Sequence, residues 1–207
     1  MALVKYNNNS ISAVTSAASI PSGALTHIKT LTASSSATLS FVHGSSGVVL
    51  DSTYPIYKFE FINMHPATND VNFTFNMSTD SGSNYNVTKT TTKFVALHTE
   101  NNGTAVLEYE ASNDLAQSTA YQILTKGLGN LGDENYSGDL SIFNPSSTTF
   151  VKHFLSTGNE NRSDDAAVND FVAGYGNTTS AVNAIQFKFS SGNIDSGTIK
   201  LYGIKDS

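Results

Sequence analysis

Cysteine and tryptophan are absent from the 207 residues, and proline occurs only four times. Without a thiol there is no disulfide, no thiolate nucleophile and no cysteine-based zinc site, so stability has to come from burial and backbone pairing. Charge is also scarce: Asp, Glu, Lys and Arg make up 14% of the chain and sum to −6 at pH 7. The eleven Lys and Arg are scattered, which argues against a nucleic-acid binder, because phosphates are neutralised by clustered cations. The first twenty residues lack the roughly 7–15-residue apolar run of a secretory leader, and no later segment approaches the roughly 20 apolar residues of a membrane span. The expectation is a chain made and used without membrane insertion.

Ser, Thr and Asn take the place of charge, at roughly a third of the residues, well above ordinary usage. They hydrogen-bond water and one another without long-range repulsion, and Thr suits a pleated sheet. With 39% hydrophobic residues there is material for a core under a polar, weakly charged surface, which suits repeated copies packed closely together.

Apolar and polar residues alternate with period two, the mark of strands with one buried face. Val71, Phe73, Phe75 and Met77 alternate with Asn72, Thr74 and Asn76, and Tyr57, Phe59 and Phe61 with Lys58 and Glu60. Further strands are expected over 25–31, 38–43, 93–100, 104–111, 140–143, 150–155, 171–175, 183–189 and 198–204. Ten or so short strands separated by turn signals predict an all-β, antiparallel sandwich or barrel.

Asn102-Gly103 separates two such runs and predicts a hairpin with a type I′ turn, both residues at positive φ. A second hairpin is expected to join 184–190 to 197–204. The segments 65–70, 78–86, 129–138 and 156–165 are rich in turn formers and are expected to be loops. A single short helix is expected near 112–122, with Asn113 as its cap. Residues 1–23 form an N-terminal arm, poor in periodicity and rich in Ser, Asn and Ala over 7–23. The arm is expected to lie on a neighbouring subunit or back on its own sheet. Residues 24–207 form one domain.

No motif for catalysis stands out. His27, His43, His98 and His153 fall inside strand patterns, where a satisfied structural imidazole is the commoner case, and His65 precedes Pro66 in a turn. There is no nucleophile elbow for a serine hydrolase. Glu108 and Glu110 alternate with apolar neighbours as one solvated strand face, and nothing pairs them, or Asp133 and Glu134, as the two carboxylates of a glycosidase. Asp80, Ser81 and Asn84, or Asp164 and Asp165, offer oxygens to calcium in loops, but capping of the turns explains the same residues. No residue is assigned as catalytic, cofactor-binding or metal-binding. Phe59, Phe61, Phe73, Phe75, Phe187 and Phe189 read as core, whereas Tyr85, Tyr136 and Tyr175, in or beside loops, are the better candidates for contacts.

From Ile185 to Ile204 the chain matches the pattern IxFxxSSGNIxSGTIxLYGI. This ending, with the stretch YKFEFINMHPATNDVNFTFNMSTDSGSNYNV in mid-chain, resembles structural proteins of tailed bacteriophages, particularly those of marine cyanobacteria. In the motif Gly192 and Gly197 would serve turns, Ile185, Phe187 and Phe189 would fill one core face with Ile199 and Leu201 opposite, and Gly203 would allow a close approach. The resemblance implies a jelly-roll-like β-sandwich in a virion assembled in the host cytoplasm, as a head decoration or tail-associated component. Its partners would be other virion proteins and copies of itself, a trimer by analogy. The alternative is a lectin-like, receptor-binding module of a tail fibre that recognises host-surface polysaccharide. A depolymerase would need a cleft of convergent carboxylates.

Overall fold

The structure is a computed structural model and describes residues 24–205, so the expected N-terminal arm lies outside the described residues. The strands are β1 (Leu25–Thr32), β2 (Leu39–Val42), β3 (Ile56–Pro66), β4 (Val71–Ser78), β5 (Lys89–Thr99), β6 (Ala105–Tyr109), β7 (Gln122–Leu128), β8 (Tyr136–Phe143), β9 (Lys152–Arg162), β10 (Ala166–Gly176), β11 (Ala184–Phe189) and β12 (Ile194–Ile204). The fold is all-β, and every strand pairing is antiparallel.

Hydrogen bonding sorts the strands into a larger layer, β1-β12-β3-β8-β9-β10-β5-β6, and a smaller one, β7-β4-β11-β2. The layers join at the residue pair Leu128↔Arg162, beside which Ser163 N–H donates to Gly127 O at 3.1 Å, and this makes the whole a nearly closed barrel. The core between them is aromatic. Phe187 on β11 meets Phe59 and Phe61 on β3 at centroid separations of 5.3 and 5.2 Å, and Phe75 on β4 meets Phe154 on β9 at 5.0 Å. The six phenylalanines expected in the core are all buried, each stabilising the fold by roughly 1.5–3 kcal/mol.

The hairpin expected between 184–190 and 197–204 does not form. β11 lies between β4 and β2, whereas β12 lies between β1 and β3. The connection crosses from one layer to the other, so Phe187 and Leu201 enter the core from opposite sides, which a hairpin within one layer cannot achieve. Gly192, at φ +69°, serves a turn as expected, whereas Gly197, at φ +121°, lies inside β12, where the register with β3 shifts between Ser196 and Thr198, and serves a bulge instead of a turn. A Cβ on Gly203 would sit 2.3 Å from the Tyr54 ring, so Gly203 permits the close approach.

The β5–β6 hairpin forms, but with a different turn. Asn102 N–H donates to Thr99 O at 2.9 Å and Asn102 has φ of 56°, while Gly103 stays outside the left-handed region. The Asn101 side-chain oxygen accepts from Gly103 N–H at 2.8 Å and from the Thr99 hydroxyl at 2.9 Å. That local bonding stabilises a longer connection than the two-residue turn.

Residues 112–122 contain no helix, and Asn113 is not a cap. The segment runs beside β5 as an irregular edge: Thr91 N–H donates to Leu115 O at 2.9 Å, and Lys89 and Ser118 exchange backbone bonds at 2.8 and 3.0 Å. Sheet pairing satisfies the backbone here and displaces the one weak helical turn. β7 follows in a stretch with no sequence signal, and β9 extends through Ser156–Arg162, where a loop was expected.

Candidate functional site

β5, β9 and β10 present an inverted pattern. Lys93, Val95 and Leu97 on β5 point inward and are buried, while Phe94 is 41% exposed on the outside. The register stacks Phe94 beside Phe171 on β10 and Tyr109 on β6, and places Ala173 beside Leu155 on β9. The Phe94 and Phe171 rings lie parallel, with centroids 4.7 Å apart and 7° between planes. Leu107 is 74% exposed, Tyr109 55% and Leu155 54%.

From Thr90 to His98 on β5, Ala167 to Tyr175 on β10 and His153 to Asn159 on β9, the alternate residues that face outward are Thr, Ala, Phe, Leu, Tyr, Asn and His. Not one is Asp, Glu, Lys or Arg, although the chain carries −6. A shallow depression of about 350 Å³, lined by Phe143, His153, Leu155, Ala173 and Tyr175, opens on this face. Its titratable lining groups are His153 and Tyr175. An uncharged sheet face with exposed aromatic and aliphatic side chains is a contact surface by chemistry.

Charge lies underneath. Lys93 Nζ is 2.6 Å from Asp170 Oδ1 and 2.5 Å from Glu110 Oε2. Glu110 therefore turns back under β5 instead of joining Glu108 on a solvated face. Burial raises the Glu110 carboxyl, but the hydrogen bond and charge of Lys93 outweigh it, and the net direction is down. Burial raises Asp170 despite Lys93, and burial together with the Asp170 charge pushes Glu160 up to about 8. Both Glu160 oxygens, Asp170 Oδ2, Thr125 Oγ1 and Tyr136 Oη are buried without a hydrogen-bond partner among the described residues. Lys93, Asp170 and Glu160 have almost no access to solvent, and the Lys93–Asp170 pair ties β5 to β10 beneath the uncharged face.

Comparison with protein-family models, with curated proteins and with solved structures finds no match.

The residues weighed from sequence fall in separate places. His27, His43, His65 and His98 hydrogen-bond to Thr30 Oγ1, Leu50 N–H, the Leu131 carbonyl and Asn102 Oδ1, while His153 lies on the outward face beside Tyr175. Asp80 accepts from the Ser78 hydroxyl at 2.6 Å and from Asn84 N–H and Nδ2 at 2.9 and 2.7 Å, which is turn capping. Asp164 takes a two-pronged contact from Arg162, both at 2.7 Å. Among the described residues no three His, Asp or Glu side chains group to hold a metal ion. Glu134 is buried and accepts from Leu131 N–H. Of the three tyrosines expected at contacts, Tyr175 lies on the outward face, Tyr85 is half-buried, and Tyr136 is fully buried with its ring against Gly158. Burial of Tyr136 corrects the expectation: it opens β8 and points into the core.

The outward face carried a signal that alternation alone misses. Phe94-Val95, Val106-Leu107, Phe154-Leu155 and Phe171-Val172 are apolar doublets on β5, β6, β9 and β10. Adjacent apolar residues occupy both phases of a strand and so make both faces apolar.

Proposed function

We propose that this protein is a non-enzymatic structural component of a virion, a head decoration or tail-associated protein that assembles through sheet surfaces. The observation that carries the reading is the uncharged outward face of β9, β10, β5 and β6 on a chain that is acidic overall. Such a face meets other protein surfaces without like-charge repulsion and gains free energy from burial. The ending over 185–204, similar to that of tailed-phage structural proteins, supports the same reading.

The finer fold assignment is a jelly roll. In that architecture eight strands form two facing sheets through two Greek keys. The two runs of four neighbouring strands, β1-β12-β3-β8 and β2-β11-β4-β7, are consistent with it. On this reading the β5–β6 and β9–β10 hairpins are insertions, between β4 and β7 and between β8 and β11 along the chain, and they extend the first sheet beyond β8. The inserted hairpins carry the uncharged face.

The test is the composition of purified particles of the virus that encodes the chain. The chain is expected at a fixed copy number by quantitative mass spectrometry, and its absence overturns the reading. A second reading, a lectin-like module for host-surface polysaccharide, is favoured by the depression between Phe143, His153 and Tyr175, where sugar rings find apolar and hydrogen-bonding groups together. On a glycan array of host polysaccharide it requires saturable binding that Tyr175→Ala abolishes.

A further inference from the structure

β6 is the last strand of the larger layer. All five of its residues are exposed, and among the described residues its backbone is paired on one side only, to β5. Thr99 N–H donates to Thr104 O at 3.0 Å and Glu110 N–H donates to Lys93 O at 2.9 Å. Antiparallel ladders alternate hydrogen-bonded with non-hydrogen-bonded pairs. Val106 and Glu108 therefore turn their backbone groups toward β5, and Ala105, Leu107 and Tyr109 turn theirs to the open side. Native sheets protect such edges with proline, lysine or a bulge. The sequence AVLEY has no proline or lysine, and its pairing with β5 runs without a register shift.

The geometry points to antiparallel pairing of β6 with β6 of a second copy of this chain, about a two-fold axis through Leu107. This inference rests on the assembly reading and names one of its contacts. With Leu107 on the axis, Ala105 of each copy lies opposite Tyr109 of the other, so every outward-turned N–H and C=O in the strand finds a partner. Val106 lies opposite Glu108, so the two glutamates sit diagonally across Leu107 and not directly opposite each other. Leu107 and Tyr109 continue the uncharged face of β5 and β10, with the Asp114 carboxylate accepting from the Tyr109 hydroxyl at the end of the strand, so on that face no like charges stand directly opposite. The same surface on both copies makes the contact isologous and closed. Five residues a side fall short of the roughly 800 Å² per partner of a standard interface, so the pair exchanges in dilute solution and is held where other contacts raise the local concentration.

The chain has no native cysteine, so engineered thiols report the register directly. Val106 and Glu108 of opposite copies form a non-hydrogen-bonded pair with Cα atoms about 4.5 Å apart, within the span of a disulfide. A mixture of full-length Val106→Cys and Glu108→Cys variants is expected to form the mixed disulfide about tenfold faster under mild oxidation than either variant alone or Leu131→Cys, since pairing raises effective concentration. Leu107→Pro removes only a donor on the open side, so it is expected to keep the fold, checked by circular dichroism, while abolishing concentration-dependent dimer in sedimentation. Equal rates for all thiol combinations overturn the inference. Dimer that persists in Leu107→Pro, or mixed disulfide formed only with a different protein, overturns it too and leaves the assembly reading intact. Absence of the chain from particles fails the assembly reading, whatever β6 does.

Discussion

Lys93 on β5 and Asp170 on β10 form an ion pair with 2.6 Å between Nζ and Oδ1, and the side chains are 0% and 2% exposed. Breaking a buried pair leaves an uncompensated charge, which costs far more than the pair contributes relative to apolar residues. Lys93→Met is therefore expected to destabilise the chain by about 3–5 kcal/mol in urea unfolding. The double variant Lys93→Met, Asp170→Leu is expected to regain part of that loss. A double variant no more stable than the single one would mean that Lys93 acts chiefly through Glu110.

Glu160 and Lys89 give stability opposite slopes with pH. Glu160 rises from 4.5 in the unfolded chain to about 8 in the folded one, so the folded state binds the extra proton. Its contribution is complete below pH 4.5 and is lost as pH climbs to about 8. Lys89 is pushed by burial from 10.5 down to about 7, so its contribution is complete above 10.5 and is lost as pH falls to about 7. A stability minimum near pH 7–8 is expected from these two groups. Glu160→Gln should flatten the acid side and Lys89→Met the alkaline side of urea midpoints measured against pH. Curves parallel to the parent would exclude these assignments.

Phe187 touches rings from both layers, with Phe41 and Phe73 joining Phe59 and Phe61 around it. Phe187→Ala removes the side chain that fills the space between the layers and is expected to cost about 3–5 kcal/mol. Phe187→Leu should cost less. Equal losses would imply that ring geometry, not volume, matters at this position.

Phe94 is large and aromatic yet faces outward, so Phe94→Asp tests contact against core. Loss of the stack on Phe171 is expected to lower stability by only about 0.5–1.5 kcal/mol. If the chain assembles into particles as proposed, its incorporation should fall sharply, because a charge enters the uncharged face. A destabilisation as large as that of Phe187→Ala, with incorporation retained, would show Phe94 to be a structural residue.

Much of the strand content was legible because one buried face imposes period two. Val71 to Met77 and Tyr57 to Phe61 state their buried face residue by residue. β7 was not legible: Ile123 and Leu124 are followed by Thr125, Lys126 and Gly127, and its register with β4 is broken by irregularities that scramble the alternation. The segment 112–122 misled for a related reason. Its backbone is satisfied by β5, which is near it only in three dimensions.

The candidate face was half legible. Its apolar doublets stand in the sequence, but Lys93 beside Phe94 reads as a charge pointing to water and a ring pointing to the core. The reverse holds because Asp170 and Glu110, 77 and 17 residues away along the chain, supply the compensating charge.

By itself the sequence determined the strand class, the aromatic core and the lack of thiol chemistry, since these follow from which side chains exist and how they alternate. The tertiary structure alone decided that β11 and β12 lie in opposite layers, that Lys93 is inside and Phe94 outside, and that β6 ends the sheet. Each of these depends on which distant segments meet, and local periodicity does not encode the partner.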